Sequence, residues 1–213
     1  MDDEKEFPME KIDFKKDFKT LYNPPAKGFA FVDVPALKYL MIDGMGDPNT
    51  VPAFQVSIET LFGVAFTTKF AAKKAGAEPE YTVPPLSGLW WCEGIEGFDP
   101  DKRNLWRWTL MIAQPPHIEN EMVRSAVSQL VEKGKQGLWE QIRLETLDEG
   151  LSIQTMYMGP YCDEAPTIAA MHRFVMEKGY SLRGRHHEIY LSDPRRTTPE
   201  KLKTILRHPV SKQ

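Results

Sequence analysis

The chain is short of several features that would have decided its class. It has two cysteines, Cys92 and Cys162, in 213 residues. Two thiols cannot build a zinc site by themselves and give no disulfide framework. Charges or prolines interrupt every apolar run before it reaches bilayer-spanning length. The N-terminus, MDDEKEFPMEK, is acidic and lacks an apolar stretch, so it does not read as a secretory signal. Positive charge is not in surplus. Lys and Arg number 27 against 30 Asp and Glu, a net charge of −3, whereas binding a nucleic-acid backbone calls for an excess of cations. A phosphate loop, a dinucleotide fingerprint and a nucleophile elbow are also missing. The expectation is a soluble cytoplasmic protein without metal or cofactor, with no direct nucleic-acid contact and no membrane association. What stands in excess is aromatic side chain: five Trp among 213 residues are more than a core of this size needs.

Residues 1–28 read as an appendage. Charges alternate densely to Lys19, and Asn23-Pro24-Pro25 marks a stiff break. Phe14, Phe18 and Leu21 fall at helical offsets and predict a short amphipathic helix docked on the main body. Phe29–Gly44 has a β-like apolar pattern with Pro35 as a bulge or break. A helix is predicted over 52–75, with Thr50 as N-cap, Pro52 in the first turn and Gly76 as its stop. Leu86–Glu93 and Asn104–Ala113 read as strands joined by the loop Gly94–Lys102. Residues 118–134 form a connector helix.

The same order then returns. Gln141–Leu147 and Leu151–Met158 read as strands, with Asp148-Glu149-Gly150 as a hairpin-like turn. Asp163, Glu164 and Pro166 open a helix that Gly179 ends. Gly184–Leu191 and Lys203–Pro209 are further strands, with a helical turn at Thr198-Pro199-Glu200. The fold class is therefore α+β. Two β-α-β-β units, over 29–115 and 138–213, are joined by the connector and related by a pseudo-twofold axis. Each unit alone is small and marginal, and the seam between them is a natural ligand cleft. Joining both units in one chain removes one reason to dimerise, so a monomer is expected.

Three groups of residues can carry chemistry. In His186-His187-Glu188-Ile189-Tyr190-Leu191 side chains alternate between faces. His187, Ile189 and Leu191 share the face expected to pack on helices, and His186, Glu188 and Tyr190 share the other. A Glu between Tyr and His can bind a cation or act as a general base; a polar face turned to water is the competing reading. The second group is aromatic. Trp106 and Trp108 share one face of their strand, while Trp90 and Trp91 point to opposite faces. Such a set can line a slot for a flat ligand, or can simply fill core volume. The third is Tyr157-Met158-Gly159-Pro160-Tyr161, where Tyr157 either donates a proton to a ligand oxygen or packs at a strand end. His117, His172 and His208 are scattered without ligand spacing, and adjacent His186 and His187 make a poor metal pair on a strand. Cys92 reads as a buried thiol with nothing to mark it as a nucleophile.

Met156-Tyr157-Met158-Gly159-Pro160-Tyr161, Glu164-Ala165-Pro166, Lys178-Gly179-Tyr180 and, above all, His186–Pro194 resemble the GyrI-like small-molecule-binding family. Lys201–Val210 continues the likeness, which spans roughly 29–210. The resemblance implies tandem SHS2-like β-α-β-β modules, with an antiparallel sheet, helices on one face and a central ligand cleft. Relatives fused to DNA-binding domains are multidrug-sensing regulators in which a buried Glu meets lipophilic cations, and Glu188 matches that Glu. No helix-turn-helix precedes the modules here, so the chain resembles a stand-alone member, the kind that includes hydrolases opening the cyclopropane of cyclopropanoid DNA-alkylating compounds. On that likeness Glu188 and Tyr157 (a position where relatives often carry His) are the expected catalytic residues. Trp90, Trp91, Trp106, Trp108, Tyr190, His186 and Tyr161 are the expected ligand contacts. The ligand implied is a flat hydrophobic aromatic molecule. A non-catalytic multidrug-binding or sensor module for lipophilic cations is the alternative.

Overall fold

The structure, a computed structural model, describes residues 11–77, 79–92 and 102–212. Two helical turns come first, α1 (Phe14–Asp17) and α2 (Lys19–Tyr22). The Asp13 side chain caps α1 by accepting from the Lys15 N–H at 3.1 Å. β1 (Ala30–Val34) and β2 (Leu37–Met45) follow, and the break between them falls at Pro35 and Ala36, where proline removes a ladder donor. Next comes α3 (Pro52–Lys74). Val51 occupies its cap position, with no side-chain cap. The Thr50 hydroxyl, expected to cap, instead donates back to the Asp47 carbonyl. Gly76 ends α3 with a φ of 72° that favours glycine.

β3 (Leu86–Cys92), β4 (Trp106–Gln114), the connector α4 (Asn120–Glu132), β5 (Arg143–Leu147) and β6 (Gly150–Met158) come next. The chain then runs through α5 (Ala165–Glu177), β7 (Tyr180–Leu182), β8 (His186–Tyr190) and β9 (Lys203–Lys212). The expected strand end Glu93 and the loop residues 94–101 lie outside the described residues, as do residues 1–10 of the appendage. No helix among the described residues is long and apolar enough to cross a membrane.

All nine strands join one antiparallel sheet in the order β1-β6-β9-β8-β3-β4-β2-β5, with β7 on β9. Each half lends a strand to the other: β1 pairs with β6, and β5 pairs with β2. The two ladders keep one register, with Val34 facing Gly150 and Leu37 facing Leu147. Residues 148–150 are therefore not a hairpin turn, because β5 and β6 have different partners. The chain there crosses from one half to the other. A second junction is β3 with β8, which sets Gly88 opposite Glu188 and Trp90 opposite His186.

Residues directly opposite in a ladder share a face, which fixes the two sides of the sheet. Leu40, Leu110, Trp90, Ile153 and Leu206 meet the helices α3, α4 and α5 in two apolar clusters. Tyr39, Met41, Leu89 and Met111 lie on the reverse side, under Phe14, Phe18 and Tyr22 of the N-terminal segment. The appendage thus docks as expected, with Phe14 and Leu21 buried.

The reverse side also holds a buried ionic knot. Glu149 lies 2.9 Å from His187 Nδ1 and 3.4 Å from Arg207 Nη1. Arg207 donates to the Leu21 carbonyl and to Gln154 Oε1, and Gln154 donates to the Thr20 carbonyl. The facing of β8 is opposite to the sequence expectation. His186, Glu188 and Tyr190 lie on the helix-covered side, while His187 looks toward the N-terminal segment. Both faces of β8 are buried, so its two aliphatics do not identify the helix side.

Candidate functional site

The site lies where β3 and β8 join the halves. Gly88 provides the space for it: a Cβ there would sit 3.0 Å from Trp90 Nε1, so the missing side chain lets Trp90 lie over the strand toward β8. Trp90 Nε1–H donates to the Tyr190 hydroxyl at 3.0 Å, and Tyr190 O–H donates to Glu188 Oε2 at 2.8 Å. His186 Nε2 lies 3.4 Å from the other oxygen, Oε1. The Glu188 side chain is only 10 % exposed. A carboxyl group so deep is stable because donors surround it. Burial first, and then the Glu188 charge, hold the Tyr190 phenol well above its ordinary pKa, so it keeps its proton.

Aromatic rings frame this relay. Trp106 stands edge-on to Trp90 with centroids 5.8 Å apart, and Phe54 lies 5.9 Å from Trp90. Tyr161 stands edge-on to Tyr190 at 5.7 Å and is 40 % exposed, so it marks the solvent side. Edge and face contacts of this kind are favourable for aromatic rings.

A second carboxyl group belongs to the site. Glu164, immediately before α5, is buried, and its Oε1 has no hydrogen-bond partner among the described residues. Burial first, and then the neighbouring Glu188 charge, push its pKa up to about 9. Glu164 is thereby held toward its protonated form, a donor near the Glu188 acceptor. In the sequence an acid at a helix start is ordinary chemistry, and that position concealed its burial.

The GyrI-like small-molecule-binding domain matches residues 29–211. The chain belongs to the GyrI-like family. An uncharacterized conserved protein from Listeria innocua is 38 % identical with a TM-score of 0.87, over 94 % of this chain and 100 % of its own. Two hydrolases from the same organism are 36 % and 37 % identical, with TM-scores of 0.82 and 0.84, over 94 % and 95 % of this chain and 100 % of theirs. No functionally curated protein matches the chain.

Within this GyrI-like domain the expected site residues divide. Glu188, Tyr190, His186, Trp90, Trp106 and Tyr161 come together. Trp91 does not: it lies on the reverse face, its ring covered by the Arg185 guanidinium at 3.5 Å. Trp108 is fully buried core, packed on Gly44 with Phe54 edge-on at 5.1 Å. Its alternation on β4 was read correctly, but α3 covers that part of the face. Tyr157 faces the same side as Tyr190, yet its hydroxyl donates to the Pro160 carbonyl at 3.0 Å and so closes the Gly159-Pro160 turn instead of offering its proton. Trp139 packs beside the connector. His172 and His208, far apart in sequence, meet His186: one nitrogen of each ring lies within 4.8 Å of the others.

Proposed function

We propose that this protein binds flat, hydrophobic aromatic molecules against Glu188 and hydrolyses the cyclopropane ring of cyclopropanoid genotoxins, a detoxifying activity. The observation that carries the reading is the buried relay Trp90–Tyr190–Glu188, with a second buried carboxyl group, Glu164, whose pKa burial and the Glu188 charge raise. The full-length likeness to two hydrolases supports it. In such substrates the strained ring is conjugated to a carbonyl group. Water attacks the ring methylene carbon, a new C–O bond forms there, and the ring C–C bond breaks. Its electron pair flows to the carbonyl oxygen, which becomes a phenol.

Glu188 orients the water and takes its proton as general base. Glu164 or Tyr190 supplies a proton or a hydrogen bond to the developing oxyanion; the proton held on Glu188 then restores the donor. Trp90 and Trp106, nearly perpendicular to one another, form an apolar corner that seats the planar body against one ring and excludes bulk water, which strengthens each of these interactions. Turnover of a cyclopropanoid compound, followed by appearance of its ring-opened alcohol, tests the reading with wild type and Glu188→Gln. A fall of about a hundredfold or more in the variant is expected. Equal rates would remove Glu188 from the chemistry. Saturable quenching of Trp emission with the compound recovered unchanged would leave the non-catalytic binding module for lipophilic cations.

A further inference from the structure

Behind Glu188, on the same face of the sheet, three histidines from three elements converge: His172 of α5, His186 of β8 and His208 of β9. The rings of His172 and His208 stand edge-on with centroids 5.1 Å apart, and His186 lies 5.9 Å from His208. One nitrogen from each falls within 4.8 Å of the other two. His172 Nε2 and His208 Nδ1 are buried without a hydrogen-bond partner among the described residues. Buried polar atoms are nearly always paired, and here two such atoms belong to adjacent imidazoles that both face a third.

We propose that His172, His186 and His208 together bind one divalent transition-metal ion, zinc being the best match. Neutral imidazole suits zinc and its first-row neighbours, and three histidines with an open fourth position form an established zinc ligand set. Tetrahedral Zn–N bonds of about 2.0–2.1 Å place ligand nitrogens about 3.3 Å apart. From a span of 4.8 Å at most, ring rotations on fixed helix and strand backbones close the difference. Ligation through His186 Nδ1 would leave Nε2 facing the Glu188 carboxylate at 3.4 Å, the carboxylate partner that metal-bound histidines characteristically have. His172 is only partly buried, which leaves an approach from the α5 side. A bound ion would pin α5 to the β8–β9 hairpin beside the ligand site. The inference does not depend on the hydrolase reading.

Tag-free protein is stripped with a chelator, titrated with cobalt(II) and then with zinc(II), and read by visible absorption and by metal content after dialysis. One equivalent of cobalt with the intense bands of a four-coordinate site, displaced by one equivalent of zinc, is expected. His172→Ala and His208→Ala should each weaken binding more than about tenfold, while His117→Ala, whose ring packs against Tyr81, should bind like wild type. Circular dichroism checks that the variants fold; if His208→Ala does not, the partly exposed His172 still gives the answer through His172→Gln. Binding well below one equivalent in wild type, or unchanged binding in folded His172 variants, would overturn the proposal.

Discussion

Replacing Glu149 with Gln isolates the buried ionic knot from every other part of the fold. Glu149, Arg207 and His187 are all nearly inaccessible. Among the described residues Glu149 is the one carboxylate within ion-pair distance of Arg207. Burial pushes the Glu149 pKa upward, but His187 and Arg207 outweigh it and hold the group at about 2. His187 is the larger of the two contributors and Arg207 the second. Burial lowers the His187 pKa and the Glu149 charge works against that shift, while the guanidinium stays charged at every working pH.

A carboxylate lowered from an ordinary 4.5 to about 2 contributes about 3 kcal/mol at neutral pH. Stranding a buried guanidinium has a destabilising effect of the same size, about 3–5 kcal/mol. For a chain of this length each kcal/mol moves Tm by roughly 2–4 °C, so Glu149→Gln should lower Tm by about 6–12 °C at pH 7. The sign with pH follows from the depressed folded-state value. The stabilisation is fully present above about pH 4.5 and disappears as pH falls toward 2. Thermal unfolding of both proteins between pH 7 and pH 2.5 should therefore show the gap closing on the acid side. A Tm drop of under about 2 °C at pH 7, or a gap that persists unchanged at pH 2.5, would refute this reasoning. Asp193→Asn, which breaks the exposed pair with Arg195, should leave Tm unmoved.

Other outcomes follow from single contacts. Tyr190→Phe removes the hydroxyl that joins Trp90 to Glu188 and should lower kcat about tenfold or more. Tyr157→Phe, whose hydroxyl is engaged by the Pro160 carbonyl, should keep kcat within a factor of about two; steady-state kinetics showing the reverse order would reinstate Tyr157. Gly44→Ala would drive a methyl group into the Trp108 ring, which is fully buried and has no room to yield. A loss of about 3 kcal/mol in urea unfolding is expected, and a neutral result would show that the Trp108 ring can move.

Local chemistry made much of this fold readable. Pro52 and Gly76 bracket α3, and period-two alternation places His186, Glu188 and Tyr190 on one face of β8. What stayed hidden depends on distant partners. The exchange of β1 and β5 between halves is a long-range pairing that residues 148–150 disguise as a turn. The same disguise concealed Glu149, whose ion-pair partner Arg207 lies 58 positions away. Glu164 sat where any helix favours an acid, and the neighbours that the fold brings to it, Glu188 and Thr204, are distant in sequence. Trp91 and Trp108 were placed correctly on their strands. Trp91 is withdrawn from the Glu188 site because it faces the reverse side of the sheet, and Trp108 because α3 covers it. The histidines 172, 186 and 208 have no sequence spacing in common because each comes from a separate element.

The most direct test is a crystal structure with a hydrolysis-resistant flat cyclopropanoid analogue bound. The expected result has its ring plane against Trp90 or Trp106, its carbonyl oxygen facing Glu164 or Tyr190, and Glu188 within reach of the methylene carbon through one water. An analogue seated elsewhere, such as the groove lined by Val127, Trp139, Ile142 and Leu144, with Glu188 untouched, would contradict the proposed site.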